Sequence, residues 1–383
     1  MSAILTLNAG SSSIKYSVYL TGEGEPEEFA VGQIDGIGPD AKLILKYNGE
    51  KTETDLGKAN HTDGLRAVLT ALKPILGDHE VTGVGHRIVH GGPNFSAPVV
   101  LDEESLAELE GLNKLAPLHQ PHNIAAIRAA MEAFPDAIQV GCFDTGFHHG
   151  HDFANDAYAL PLEMYEEGIR RYGFHGLSYD YITGYLAKTH PELADKKVVI
   201  AHLGNGASMT AVVGRRAIAS TLGFSALDGL PMGTRCGQVD PGILLYLLDK
   251  GMTKEELTNL LYKESGMKGL SGITHDMRTL KESDDPRAKQ AMEYYIARVI
   301  REVGALAAAG GGIDALVFTG GVGENSPAIR KGVADGLGFL GISVDEEANE
   351  RSDEEIGTGS VKVLVVKTDE ERVIARAVSS KLG

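Results

Sequence analysis

With 383 residues, 43% of them apolar and 23% charged, the chain can form two or three domains with buried cores. Its 53 acidic residues outnumber 36 lysines and arginines, and the formal charge of −17 disfavours nucleic acid and anionic membranes as partners. Two cysteines, Cys142 and Cys236, are too few for a disulfide framework and fit a reducing compartment. No window approaches the ~18–20 apolar residues that span a bilayer, and no basic residue precedes the first apolar run as in a signal peptide, so a cytoplasmic protein is expected.

The first apolar run, 3–7, reads as a strand, and 14–20 reads as its hairpin partner across Asn8-Ala9-Gly10-Ser11-Ser12-Ser13. Behind Thr62-Asp63, residues Leu65, Val68, Leu69, Leu72 and Leu76 make the apolar stripe of a helix. Polar residues and glycines gather between Asp144 and Asp156, the best place for a domain boundary. The next strand, 197–201, leads through His202-Leu203-Gly204-Asn205-Gly206-Ala207-Ser208 into a strand over 208–213. That strand–turn–strand unit repeats the N-terminal one about half a chain length later, which suggests a duplicated domain.

Further on, Asp285-Pro286 opens a long helix with Met292, Ile296, Val299, Ile300, Val303 and Leu306 on one face. A buried strand over 314–318 runs into a third turn, Thr319-Gly320-Gly321-Val322-Gly323-Glu324-Asn325-Ser326, and a helix follows from Pro327. The last strand covers 361–366, and Thr368-Asp369-Glu370-Glu371 looks like the capping box of a terminal helix. Strands alternate with helices in both halves, the mark of α/β layers.

The three glycine turns carry the functional signal. Glycine lets phosphate oxygens approach main-chain N–H groups, so an ATP-using enzyme is expected. Other patterns have plainer readings. Gly336-Leu337-Gly338-Phe339-Leu340-Gly341 has GxGxxG spacing but closes a helical stretch instead of following a strand. His148-His149-Gly150-His151 lacks partners at a metal-site spacing. More telling is a set of charged groups among glycines: Arg87 in GHRIVHGG, Asp144 in FDTGFH, His175 in YGFHG and Arg235 in MGTRCG.

Taken in order, these motifs resemble the acetokinase family, within the actin, sugar-kinase and heat-shock ATPase superfamily. The resemblance runs through NAGSSSIK (8–15), GHRIVHGG (85–92), APLHQP (116–121), FDTGFH (143–148), YGFHG (172–176), HLGNGAS (202–208), MGTRCG (232–237), FTGGVGENS (318–326) and TDEE (368–371). It implies an α/β fold of two duplicated ribonuclease H-like (actin-like ATPase) domains with an interdomain active-site cleft. The first domain would span 1–147, completed by a C-terminal helix over 371–383, and the second 148–370.

The implied reaction is direct, reversible phosphoryl transfer from ATP to acetate, giving acetyl phosphate and ADP, with Mg²⁺ (or Mn²⁺ in its place) and a homodimeric enzyme. Carried onto this chain, Arg87, Asp144, His175 and Arg235 are the catalytic positions. Arg87 also binds the carboxylate, and Val89, Leu118, Phe174 and Ala226 line the acyl pocket. Nucleotide contacts fall on Lys15, on His202, Leu203, Gly204, Asn205 and Gly206, on Asp276, Met277 and Arg278, and on Gly321, Val322, Gly323, Glu324 and Asn325. Asn8 and Glu370 take the metal, although a carboxylate in a helix's first turn is also stabilised by the helix dipole.

Acetate is already an anion at neutral pH, so no base is needed to activate it. Asp144 is therefore expected to hold metal-bound water or orient an arginine. The chain departs from the family pattern at Ala226, where proline is common, and at Gln238, where aspartate is frequent. A kinase for propionate or another short-chain acid is the near alternative. An ATP-switched binding module without catalysis is the remote one.

Overall fold

The computed structural model describes residues 2–10, 13–116 and 119–383. These form two units, one of residues 1–147 with 369–383 and one of residues 148–368. Each unit is built on its own sheet.

The first unit holds eight strands: β1 (Ser2–Ala9), β2 (Ser13–Leu20), β3 (Glu27–Asp35), β4 (Gly38–Tyr47), β5 (Glu50–Ala59), β6 (Glu80–Ile88), β7 (Val99–Val100) and β8 (Ile138–Phe143). They lie in the order β5-β4-β3-β2-β1-β6-β8-β7. The β1–β2 hairpin pairs Ala9 with Ile14 and Ala3 with Leu20. Beyond it β1, β6 and β8 run parallel. Apolar residues of β1 are buried on both faces, as a central strand requires.

The helix His61–Leu76 covers one face with Leu65, Val68, Leu72 and Leu76. Its start differs from the sequence reading. Asn60 is the cap, accepting from the Asp63 N–H at 2.9 Å, while the Asp63 carboxylate accepts from the Asn60 N–H at 3.2 Å. Asp63 thus closes a reciprocal box from its third position, and no cap falls at Thr62-Asp63.

The C-terminal helix Glu370–Leu382 packs in this first unit against β6. Gly83 and Gly85 of β6 make the approach close: a Cβ on either would come within 2.4 and 2.3 Å of Val378 and Ile374 respectively. The helix cap is Asp369, whose carboxylate accepts from the Arg372 N–H at 3.0 Å. That is one residue later than a box opened at Thr368.

The second unit has β9 (Lys197–Leu203), β10 (Ala207–Val213), β11 (Arg216–Ser220), β12 (Ala315–Thr319) and β13 (Lys362–Val365), in the order β11-β10-β9-β12-β13. β9–β10–β11 is antiparallel, and β9, β12 and β13 run parallel. This order and these directions match β3-β2-β1-β6-β8 strand for strand. The duplication suggested by two hairpins therefore extends through the five-stranded core of each sheet.

The long helix Pro286–Ala309 begins at its cap Asp285. Ile296 and Ile300 lean on Gly332 and Gly336, where a Cβ would sit 2.8 and 2.3 Å from their side chains. Gly336 is thus a packing glycine at the end of Pro327–Asp335, not part of a dinucleotide loop. The third glycine turn also differs from expectation, because Gly320–Asn325 is already helical. Gly320 has φ +76° and sits against β9, its would-be Cβ 2.8 Å from the Leu203 carbonyl oxygen. Ser326, preceding Pro327, breaks the helix as a pre-proline residue does.

Candidate active site

In the first unit the chemistry gathers at the ends of parallel strands. Arg87 is near the end of β6, and Asp144 directly follows β8. The Arg87 Nε donates to both Asp144 carboxylate oxygens at 3.1 Å, and Nη2 donates to Oδ2 at 2.8 Å. Its Nη1 lies 3.1 Å from Glu370 Oε2, brought there by the helix on β6. Burial works against the guanidinium's charge, but Asp144 and Glu370 outweigh it and raise its pKa. Asp144 therefore orients an arginine that stays charged at any working pH.

The Val89 N–H donates to Asn123 Oδ1 at 3.1 Å, and Asn123 Nδ2 donates to the Ala9 carbonyl at 2.9 Å. Gln120, one turn earlier, brackets His90 through both its backbone groups. These buried amides brace the segment after Arg87. Their signal in the sequence is slight: two amides three residues apart on one helix face, Gln120 within the quoted APLHQP motif and Asn123 just beyond it. Asn8 is half-buried at the end of β1 and pairs across the hairpin with exposed Lys15. Lys15 lines a cavity of about 330 Å³ with Lys46, Lys51 and Glu371. Leu118 lies outside the described residues.

In the second unit His175 caps the helix Gly176–Thr189 in the left-handed region (φ +59°), an unusual backbone for a residue with a side chain. Its Nδ1 shares a 2.8 Å hydrogen bond with Ser208 Oγ, which also meets Tyr179 Oη at 2.5 Å. The ring stacks on His202 with centroids 4.5 Å apart, and His202 Nδ1 is bonded to Ser178. The other nitrogen, Nε2, faces Gly206. A Cβ there would lie 3.3 Å from His175 Nε2 and 3.7 Å from Arg235 Nη2, so glycine leaves room where the two nitrogens converge. Arg235 Nη1 donates to the Ala226 carbonyl at 3.1 Å. Phe174 is buried, and its carbonyl accepts from His148 Nε2 at 2.9 Å.

A cavity of about 780 Å³ in this unit brings together Gly204, Asn205, Asp276, Met277, Arg278, Gly321, Val322 and Asn325. His202, Leu203, Gly206, Gly323 and Glu324, also expected at the nucleotide, do not line it. Asp276 is held at about 2 by its hydrogen bonds from Arg278. Glu324 Oε1 accepts from the N–H groups of Gly320 (2.9 Å) and Thr368 (3.2 Å), so it staples the glycine segment in place.

Arg330 was invisible to sequence reasoning, since an arginine in an amphipathic helix reads as a surface cation. It is fully buried, and Nη1 caps the carbonyls of Gly323 and Glu324 at 2.8 and 2.9 Å. Among the described residues no group of three or more His, Cys, Asp or Glu is arranged to hold a metal ion. No helix among them is long and apolar enough to cross a membrane.

The acetokinase family model matches residues 3–376 of this chain. The chain belongs to the acetokinase family. An acetate kinase of Methylocella silvestris is 48% identical, over 97% of this chain and 96% of that protein. Among solved structures, the Porphyromonas gingivalis acetate kinase superposes with a TM-score of 0.92 at 38% identity, covering all of both chains. A propionate kinase from Francisella tularensis gives 0.94 at 36% identity, over 98% of this chain and 99% of its own. The fold is thus the α/β fold of this family, two duplicated actin-like ATPase domains.

Proposed function

We propose that this acetokinase-family enzyme transfers the γ-phosphoryl group of ATP to acetate, with Asp144, Arg87, His175 and Arg235 as its catalytic groups. A carboxylate oxygen of acetate attacks the γ-phosphorus in line. The bond to the β–γ bridging oxygen breaks, and acetyl phosphate and ADP result. The observation that carries this reading is the convergence of His175 Nε2 and Arg235 Nη2 over Gly206. Two donors aimed at one small space suit the equatorial oxygens of a moving phosphoryl group, where catalysis is mostly positioning and charge stabilisation.

Arg87, kept charged by two carboxylates, is proposed to take the acetate carboxylate, and Val89, Leu118, Phe174 and Ala226 are the residues proposed for its methyl group. ATP occupies the larger cavity, its phosphates against the glycine loops at 202–206 and 321–325 and its base toward 276–278. Lys15 is the remaining residue proposed for the nucleotide.

The family uses a divalent metal, and Asn8 and Glu370 are proposed to hold Mg²⁺, or Mn²⁺ in its place. Their donors are oxygens and too few for a protein cage. That suits Mg²⁺, which keeps several waters and takes substrate phosphate oxygens. When bound, the ion neutralises charge on the β- and γ-phosphates.

A cytoplasmic homodimer completes the reading. The helix Pro241–Asp249 supports it, because Ile243, Leu245, Tyr246 and Leu248 are 51, 64, 57 and 44% exposed. A helix apolar all round calls for cover. An uncharged patch is also where two chains of charge −17 can meet without repulsion.

Mg²⁺- and ATP-dependent acyl phosphate formation, trapped chemically across acetate, propionate and butyrate, tests the proposal. Acetate should lead, propionate follow at about tenfold lower kcat/KM, and butyrate be poor, since one methylene is worth roughly 10–200-fold. A preference for propionate would favour the second reading, to which Ala226 lends support by removing bulk where the family often has proline. Activity with none of the three would reject both.

A further inference from the structure

The loop Gly223–Gly229, which carries Ala226, is tied at several points to the segment 171–173 just before Phe174. The Gly223 carbonyl accepts from the N–H groups of Tyr172 (3.0 Å) and Gly173 (3.3 Å). Arg171 Nη1 donates to Asp228 Oδ2 at 2.9 Å. The third tie comes from outside both segments: the Phe224 N–H donates to Tyr158 Oη at 2.8 Å. Arg171 lies over the Tyr158 ring, 4.5 Å from its centroid, so the tyrosine and the ion pair form one assembly. Gly223 is its keystone. A Cβ there would stand 2.0 Å from the Tyr158 hydroxyl, 2.9 Å from Asp228 Oδ2 and 3.1 Å from Arg171 Nη1.

We propose that Tyr158, with the Arg171–Asp228 pair, is a positioning device that fixes the spacing of Ala226 from Phe174 and so sets acyl-chain selectivity. The inference rests on the acyl-phosphate reading above, in which those two residues wall the acyl slot. Alanine at 226 lacks the fixed φ of proline, so the loop's rigidity must come from partners. The Ala226 carbonyl also receives Arg235 Nη1 at 3.1 Å. Drift of this loop therefore widens the slot and loosens a phosphoryl-stabilising arginine together. Neither Tyr158 nor Asp228 touches the reacting atoms in this scheme; both act through the loop.

Tyr158→Phe removes one oxygen, keeps the ring under Arg171, and strands the Phe224 N–H. In full-length protein, the ratio of kcat/KM for acetate over propionate should fall by about threefold to tenfold, the size expected from one hydrogen bond. KM for ATP should stay within about twofold, because 224–228 do not line the nucleotide cavity. Asp228→Asn, read by the same ratio, decides the matter should Tyr158→Phe not fold. An unchanged ratio in the folded variant overturns the proposal, as does an equal loss for both acids with a raised KM for ATP. Wild-type protein that makes no acyl phosphate would instead reject the functional reading beneath it.

Discussion

Replacing Asp144 with asparagine tests the most ordered part of the candidate site. In the folded protein Arg87 makes three N–H···O contacts to Asp144 and one ion pair to Glu370. Asparagine keeps the shape but offers one oxygen, turns an amide N–H toward the guanidinium, and removes a charge. The Asp144 side chain is only 3% exposed and that of Arg87 19%, so solvent cannot replace the lost partner. A hydrogen bond to a charged group is worth about 1.5–3 kcal/mol, which corresponds to roughly 10–150-fold. We expect kcat/KM for acetate to fall by that factor, with KM for ATP nearly unchanged. Tm should drop by a few degrees. The assay is steady-state acyl phosphate formation at several Mg²⁺ concentrations and pH values. Loss of one limb of the pH–rate profile, with Mg²⁺ dependence intact, would mean that Asp144 moves a proton, and the orienting argument would be refuted.

Gly206→Ala should lower kcat by roughly 10²-fold, the scale of losing one transition-state donor, because its Cβ enters the space between His175 and Arg235; a folded variant with wild-type kcat would disprove their convergence. Leu245→Glu should leave activity per chain largely intact but convert a dimer to a monomer in light scattering, and a monomeric wild type at micromolar concentration would contradict the helix's assigned role. Burial lowers the pKa of His86 and of His90 to about 4. Unfolded imidazoles titrate near 6.5, so between these values the unfolded chain binds protons that the folded chain refuses. Stability is then full above about pH 6.5 and declines on acidification toward 4; a Tm that stays level from pH 7 to 5 would count against this.

What the sequence made legible was local and periodic. Both hairpins were readable because an apolar run, a glycine turn and a second run lie within twenty residues. Helix faces were readable from 3.6-residue spacing. Errors fell where two local signals compete. Asn60 and Thr62 are both good caps, and the choice rests on which one Asp63 can answer three positions later. The third glycine turn became a helix because Glu324 and Arg330 satisfy its ends, and neither contact can be inferred from spacing. Candidate site residues were legible as chemistry, an arginine or histidine among glycines, but their partners were not. Glu370 meets Arg87 only because Gly83 and Gly85 let a distant helix lie on β6. Tyr158 carries no motif, and its importance appears only in where its hydroxyl points.

The two matching sheets put equivalent positions to different electrostatic use. In each, the inner parallel strand next to the central one leads into candidate site residues: β6 holds Arg87 with Val89 just beyond it, and β12 runs into the helical glycines from Gly320. The C-terminal edge of parallel strands is where α/β sheets place ligands, so the location follows from architecture. What is placed there does not. At the end of β6 the chain supplies a cation fixed by two carboxylates. After β12 it supplies backbone N–H groups on a short helix, with the buried cation withdrawn behind them at Arg330. Burial lowers the pKa of Arg330, and Glu350 acts against that. The Arg330 guanidinium is spent on neutral acceptors, among them the carbonyls of Gly323, Glu324 and Asn349, with Glu350 as an acidic group acting on it, whereas Arg87 is held directly by two carboxylates. On the proposed reading, that difference, not the shared fold, is what would suit one unit's glycine segment to phosphates and the other's arginine to a carboxylate.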